Sequence, residues 1–297
     1  PVNKIRLFEH GAPGSQDLKL TRKYYTEDMP DGRVKHIVQN ITDPDIVPYI
    51  PDGIGNSTDR QRIPAVLIIP GGAFRRLVYN FEGEDVAKWL NSMGIAAFVL
   101  ECRLPSDEHD NAEDVRVIRG RAQEFGIDEA KIGVMGFSAG GFMAALLSTA
   151  YESDVYADYK YKDEYDKLSA RPDFAVCSYP VISIDDCIEA GKRYMSEEQV
   201  LERISDSKAK ILHKYNPDKL VRPDMPPVFI CETDDDRTTL SENSVGFYMA
   251  ARKAGVSAEL HIFRTGGHGY GCGDDFAQTG EWKVLFTKWI KSIGIIS

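Results

Sequence analysis

Hydrophobic and polar positions follow two patterns that take turns along most of this chain. Val34 to Ile41 alternates apolar and polar side chains in the manner of a half-exposed strand, and Ile46 to Ile50 predicts a second. Asp43-Pro44 turns the chain between them, and the first thirty residues are polar. Pro51 to Arg62, rich in Gly, Asp, Asn and Ser, reads as a loop. Ala65 to Ile69 is a continuous apolar run, as expected of a strand covered on both faces. Helices are then predicted over Val86 to Met93, Ala112 to Phe125, Gly141 to Leu147, Leu240 to Ala254 and Glu281 to Ile293. Strands are predicted over Ile95 to Leu100, Lys131 to Met135, Phe174 to Tyr179, Val228 to Cys231 and Ala258 to Phe263. Such alternation predicts an α/β fold, with a mostly parallel central sheet flanked by helices on both faces. Sites in sheets of this kind form beyond the carboxyl ends of the strands.

Two stretches break the rhythm. Tyr151 to Ala170 is acidic and holds five tyrosines, and Ile184 to Lys214 carries short helical patterns with no strand between them. Each follows a strand whose end borders the site described next, so the pair is expected either as surface excursions or as small cap insertions. No linker is long enough to separate domains, and a single domain over 1–297 is expected.

Charge and cysteine content narrow the partners. The 36 Lys and Arg against 46 Asp and Glu leave a net charge of −10, which repels phosphate backbones and anionic lipid. Nucleic acid and membrane are therefore excluded as expected partners. Apolar runs such as Ile95 to Leu100 are too short to span a bilayer. The five cysteines are odd in number and not spaced as zinc ligands, so free thiols and a cytoplasmic location are expected, with export of a processed form left open.

The chemistry centres on Gly136-Phe137-Ser138-Ala139-Gly140, a G-x-S-x-G pentapeptide between a predicted strand and a predicted helix. That context suits a nucleophile elbow, in which a sharp turn lifts the serine hydroxyl out of the sheet toward a helix N-terminus. A serine hydroxyl is a weak nucleophile and needs a base, which in turn needs a carboxylate to orient it. Of six histidines, His268 in Gly266-Gly267-His268-Gly269 follows a strand and is flanked by glycines, whereas His10 and His36 precede the α/β pattern, His109 and His213 lie in polar helical contexts and His261 lies within a strand. Asp234-Asp235-Asp236 follows the strand Val228 to Cys231, where the acid belongs, and spacing alone does not choose among the three. Pro70-Gly71-Gly72-Ala73-Phe74 follows another strand, so Gly72 and Ala73, with Ala139 after the nucleophile, are the expected oxyanion donors. No metal or cofactor is expected.

These blocks resemble the α/β-hydrolase esterases of the acetyl esterase and acetylxylan esterase-like group, relatives of the hormone-sensitive-lipase type. The likeness runs from about Ile37 to Ile290. It includes Glu82-Gly83, Val86-Ala87-Lys88-Trp89-Leu90, Arg103-Leu104-Pro105, Arg171-Pro172-Asp173-Phe174, Tyr179-Pro180 and Glu242-Asn243-Ser244. The resemblance implies Ser138 as nucleophile, His268 as base and Asp236 as acid. The family's usual proline is replaced by Leu240, and Thr238-Thr239 replaces an apolar pair, so Asp235 stays open as the acid. Ala73 stands where a third glycine is common.

The implied activity is hydrolysis of short-chain carboxylic esters, such as acetyl groups on sugars or xylo-oligosaccharides, through an acyl-enzyme. Phe74, Phe137, Tyr179 and Tyr270 adjoin the motifs and are expected to line a small acyl pocket. The expected partner is a small ester, with a homo-oligomer left open. The rival activities are a serine exopeptidase or amidase with the same triad, and a non-catalytic binding module on the same scaffold.

Overall fold

The continuous apolar runs become the central strands of one eight-stranded sheet. In the computed structural model, residues 4–13, 15, 19–53, 62–103, 112–152, 161, 163–193, 196, 215–273 and 278–297 are described. The strands are β1 (Ile5–Arg6), β2 (Lys23–Asp28), β3 (Val34–Gln39), β4 (Asp45–Tyr49), β5 (Ile63–Ile69), β6 (Arg76–Val78), β7 (Ala96–Glu101), β8 (Ile127–Phe137), β9 (Ala175–Ser178), β10 (Val228–Thr233) and β11 (Ala258–Phe263). The helices are α1 (Asp85–Ser92), α2 (Ala112–Gly120), α3 (Ala122–Phe125), α4 (Ala139–Ala150), α5 (Ile184–Lys192), α6 (Ser241–Lys253) and α7 (Glu281–Ser292).

The large sheet runs β1-β4-β7-β5-β8-β9-β10-β11. Pairing is antiparallel from β1 through β4 to β7 and parallel from β7 to β11. Because side chains alternate along a strand, each central strand feeds two cores. On β5, Ala65, Leu67 and Ile69 face the layer of α2, α4 and α6, where Val115, Ile118, Ala145 and Phe247 are buried. Val66 and Ile68 face the layer of α1 and α7, where Leu90, Trp282, Phe286 and Trp289 are buried. Emptying one of these aromatic positions to alanine would cost about 3–5 kcal/mol.

The sequence pattern and the structure differ in places, each for a local reason. The expected helix over Ala112 to Phe125 is divided into α2 and α3 at Arg121, whose ψ is 15°. The Tyr165 ring packs so closely on Gly120 that a Cβ there would lie 2.2 Å from it. β2 lies within the polar first thirty residues. Its side chains are nearly all exposed, so no apolar alternation marks it, and it is held by backbone pairing to β3 in a small sheet ordered β2-β3-β6.

Most of the expected cap (153–160, 162, 194, 195 and 197–214) lies outside the described residues, as do 54–61, His109 and His213. The described part of the second stretch supplies α5. Its Cys187 and Ile188 pack with Phe74, Phe142 and Val181 in a small apolar cluster apart from the two main cores.

Candidate active site

The parallel strands β8, β10 and β11 end at the same edge of the sheet, with β9 between the first two, and the turns after them present the three side chains. β8 ends at Phe137, and Ser138 takes φ 53° and ψ −117° before α4 begins at Ala139. This strained conformation costs about 1–3 kcal/mol and turns the hydroxyl out of the strand line. The flanking glycines are required by proximity. A Cβ on Gly136 would lie 2.0 Å from the Gly140 carbonyl oxygen, and one on Gly140 would lie 2.0 Å from that of Ile69. The Ser138 amide donates to the Ser178 carbonyl (3.0 Å), and the Ser138 carbonyl accepts from Phe142 (3.2 Å) and Val181 (3.1 Å).

Ser138 Oγ lies 2.8 Å from His268 Nε2, and His268 Nδ1 lies 2.6 Å from Asp236 Oδ2. An ionised Asp236 can only accept, so Nδ1 carries the proton and Nε2 is free to receive one from Ser138. Asp236 is 2% exposed. Its Oδ1 accepts from the amides of Thr238 (2.7 Å) and Thr239 (3.0 Å), and its Oδ2 accepts from the Thr239 hydroxyl (3.0 Å). Burial by itself would raise this carboxyl, but the hydrogen bond and charge of His268 and the two amides outweigh it. The group is held below its ordinary value.

The three aspartates divide their work. Asp235 is exposed and accepts from the Gly267 amide (2.8 Å), while the Thr233 hydroxyl donates to the Gly267 carbonyl (2.9 Å). Asp235 therefore pins the loop that carries His268, and Asp236 touches the imidazole. Asp234 is exposed, and its amide donates to the Phe263 carbonyl (2.8 Å).

The loop after β5 abuts the elbow. Its carbonyls point toward β6, with Val78 N donating to Gly71 O (2.9 Å) and Arg75 N and Arg76 N to Gly72 O (3.1 and 3.2 Å). In planar trans peptides the following N–H groups, those of Gly72 and Ala73, point the opposite way. Gly72 has φ 145°, and Ala73 and Phe74 both occupy the left-handed region at φ 56° and 58°. Ala139, the first residue of α4, carries an N–H with no acceptor inside its own helix.

The four aromatic residues expected around a pocket separate. Phe74 is half-buried and meets Phe142 edge-on, with ring centroids 5.7 Å apart. It belongs to the apolar cluster beside Ser138. Phe137, Tyr179 and Tyr270 instead lie in the core between the sheet and α7, at 0%, 0% and 6% exposure. The side-chain alternation of β8 sends Phe137 to that side, so the expected lining role of these three is corrected. Tyr179 still reaches the site from beneath: its ring centroid is 5.1 Å from that of His268.

Sequence reasoning assigned no role to three residues found here. Thr239 donates to the acid, and its signal was the Thr238-Thr239 pair, a departure from the apolar pair that the family resemblance implies. Glu232 is fully buried on β10 and accepts from Thr233 N (2.9 Å) and Ser244 Oγ (3.3 Å). Burial and the charge of Asp236 push its carboxyl well up. Glu82 is buried at the oxyanion loop, and its signal was an acidic residue within the Glu82-Gly83 block.

Comparison with known proteins finds esterases among the chain's relatives. The BD-FAE family model matches residues 54–250. An acetylxylan esterase of Xylanibacter ruminicola is 31% identical over 236 residues, covering 77% of this chain and 45% of that protein. Endo-1,4-beta-xylanase B of Butyrivibrio fibrisolvens is 30% identical over 227 residues, covering 73% of this chain and 34% of that protein. The chain thus spans less than half the length of either curated relative. The solved acetyl ester-xyloside bifunctional hydrolase of Caldicellulosiruptor lactoaceticus is similar over 100% of this chain and 98% of its own, with TM-score 0.73 and 33% identity. The carboxylesterase Cest-2923 of Lactobacillus plantarum, at 20% identity, shares the fold with TM-score 0.67 over 94% of this chain and 99% of its own. With the α/β-hydrolase fold and a family match over most of its length, this chain belongs to the BD-FAE family.

Proposed function

We propose that this chain is a serine esterase that removes short acyl groups, above all O-acetyl groups of sugars or xylo-oligosaccharides. It is a carboxylic ester hydrolase, and the observation that carries the reading is the unbroken contact from Ser138 Oγ through His268 to Asp236. Ser138 Oγ attacks the ester carbonyl as its proton passes to His268 Nε2. The N–H groups of Gly72, Ala73 and Ala139 receive the oxyanion, and each such donor is typically worth about 10²–10³ in rate. Collapse of the tetrahedral adduct expels the alcohol, which takes the proton from Nε2 and leaves an acyl-enzyme. Water then repeats the cycle, giving its proton to His268, and the free acid leaves as Ser138 is reprotonated. Asp236 keeps Nδ1 protonated and stabilises the imidazolium formed in each half.

A short acyl group is favoured by the walls beside the nucleophile. Phe142 and Val181, whose amides bind the Ser138 carbonyl, pack with Phe74 and Cys187 into one apolar cluster. The sugar preference rests on the relatives, one an acetylxylan esterase and one an acetyl ester-xyloside hydrolase.

Ser138→Ala is expected to abolish turnover of p-nitrophenyl acetate and labelling by a fluorophosphonate probe, and undiminished turnover would dispose of the reading. Mass spectrometry on acetylated xylo-oligosaccharides should show losses of single acetyl groups. Faster turnover of an aminoacyl anilide than of an acetyl ester would move the assignment to an amidase.

A further inference from the structure

The reaction described above does not use Glu82, although it is a carboxylate 4% exposed within the site. It lies in a π-helical turn, Asn80–Glu84, that leads into α1. Both of its oxygens are engaged. Oε2 accepts from the Gly71 amide (2.7 Å), and Oε1 accepts from the Tyr179 hydroxyl (2.8 Å). Tyr179 Oη in turn accepts from the Gly271 amide (3.0 Å), and the Gly271 carbonyl accepts from Trp282 Nε1 (3.1 Å). From Gly271 through Tyr179 to Glu82, every donor points toward the one carboxylate.

An ionisable group in such a place is costly unless its hydrogen bonds compensate for lost water. Burial pushes the Glu82 carboxyl up, and the donors Tyr179 and Gly71 and the nearby His268 act against that rise. What this carboxylate joins is two loops on opposite sides of the nucleophile.

On one side, Gly71 is pressed against the elbow, since a Cβ there would lie 2.8 Å from Ser138 Cβ and 3.0 Å from Glu82 Oε2. Turning the Gly71 N–H to Glu82 sets the orientation of this peptide, and with it the direction of the Gly72 and Ala73 amides that follow. On the other side, Gly271 lies three residues beyond His268, and the Tyr179 ring meets the imidazole at 68°. Tyr179 itself holds φ 36°, a strained value kept by the bonds at both ends of its side chain and backbone.

We propose that Glu82 and Tyr179 are a positioning pair, a buried clamp that aligns the oxyanion donors with the histidine loop across Ser138. The proposal rests on the serine-esterase reading. Neither residue touches substrate; each acts through groups that do. Removing the carboxylate frees Gly71 and releases Tyr179, so the tetrahedral state loses more than the bound ester does. A change confined to folding stability would not separate these two.

The test compares Glu82→Ala, Glu82→Gln and Tyr179→Phe with wild type, using p-nitrophenyl acetate kinetics and inhibition by phenylboronic acid, which forms a tetrahedral adduct on the serine. Glu82→Ala is expected to lower kcat about 10²–10³-fold, with KM within about threefold and boronate affinity falling in parallel. Glu82→Gln keeps an acceptor for Gly71 and is expected to recover to within about tenfold of wild type. Tyr179→Phe should lose about tenfold in kcat, again with boronate affinity. If Glu82→Ala does not fold, Tyr179→Phe decides, with every variant checked by thermal melting. A folded Glu82→Ala or Tyr179→Phe that matches wild type in kcat and boronate affinity overturns the clamp, as does a loss confined to KM. A wild-type chain that neither hydrolyses the ester nor takes a fluorophosphonate label instead overturns the reading of the whole site, and the clamp with it.

Discussion

Replacing Asp236 by Asn, and separately Asp235 by Asn, asks which of two adjacent carboxylates orients the imidazole. At Asp236 the two backbone donors on Oδ1, Thr238 (2.7 Å) and Thr239 (3.0 Å), need an acceptor. They would hold the asparagine oxygen on their side and turn its NH2 toward His268 Nδ1, now 2.6 Å from a carboxylate oxygen. Nδ1 must then accept, the ring proton moves to Nε2, and Ser138 loses its base. A wrong tautomer of this kind costs about 10⁴ in kcat in serine hydrolases with the same triad. That corresponds to about 5.5 kcal/mol of barrier. Asp235 is exposed and makes its contact to Gly267 N (2.8 Å) through one oxygen, which asparagine preserves. Asp235→Asn should therefore stay within about tenfold of wild type. The assay is kcat/KM for p-nitrophenyl acetate near neutral pH, with melting curves to show that both variants fold. The reasoning is refuted if Asp236→Asn stays within tenfold, or if the two variants lose equally.

Three further outcomes follow from neighbouring groups. Glu232 has its carboxyl raised well above 4.5 by burial and by Asp236, so its stabilising effect is full below that value and is lost as pH rises toward the folded value. Cys187, Cys231 and Tyr270 are its other titratable neighbours. Glu232→Gln should equal wild type near pH 4 and exceed it at neutral pH, by up to about 1.4 kcal/mol per pH unit, and urea unfolding showing no neutral-pH gain would refute this. Ala73→Gly relieves a left-handed alanine at φ 56° and should add about 1 kcal/mol, roughly 2 °C in Tm, with activity kept. A lower Tm in scanning calorimetry counts against that strain. Thr239→Val keeps the buried shape but removes the donor to Asp236 Oδ2 (3.0 Å), and should cost about 1–3 kcal/mol in urea unfolding. No loss would mean that the hydroxyl contributes nothing to holding the acid.

Much of this molecule was legible because its information is local. The apolar runs over Ala65 to Ile69 and Val228 to Cys231 have the length and the alternation with helices expected of buried strands, and the pentapeptide around Ser138 sits between a strand pattern and a helix pattern, where it reads as a tight turn. A periodicity of two or 3.6 is a property of consecutive residues, so the α/β alternation was readable before any contact was known. β2 was not, because an exposed strand has no apolar face to display and is defined by the backbone of its partner. The choice of Asp236 over Asp235 was likewise beyond local reading. Both are carboxylates in one turn, and which one meets His268 depends on how that turn lies against a loop more than thirty residues away. Phe137, Tyr179 and Tyr270 adjoin the motifs in sequence but pack into the core on the α7 side of the sheet, Phe137 by the side-chain alternation of β8 and the two tyrosines from the loops after β9 and β11. Glu82 shows the limit most clearly. An acidic residue at a helix start reads as an ordinary solvated charge, and only the closure of three distant segments around it turned it into a buried acceptor.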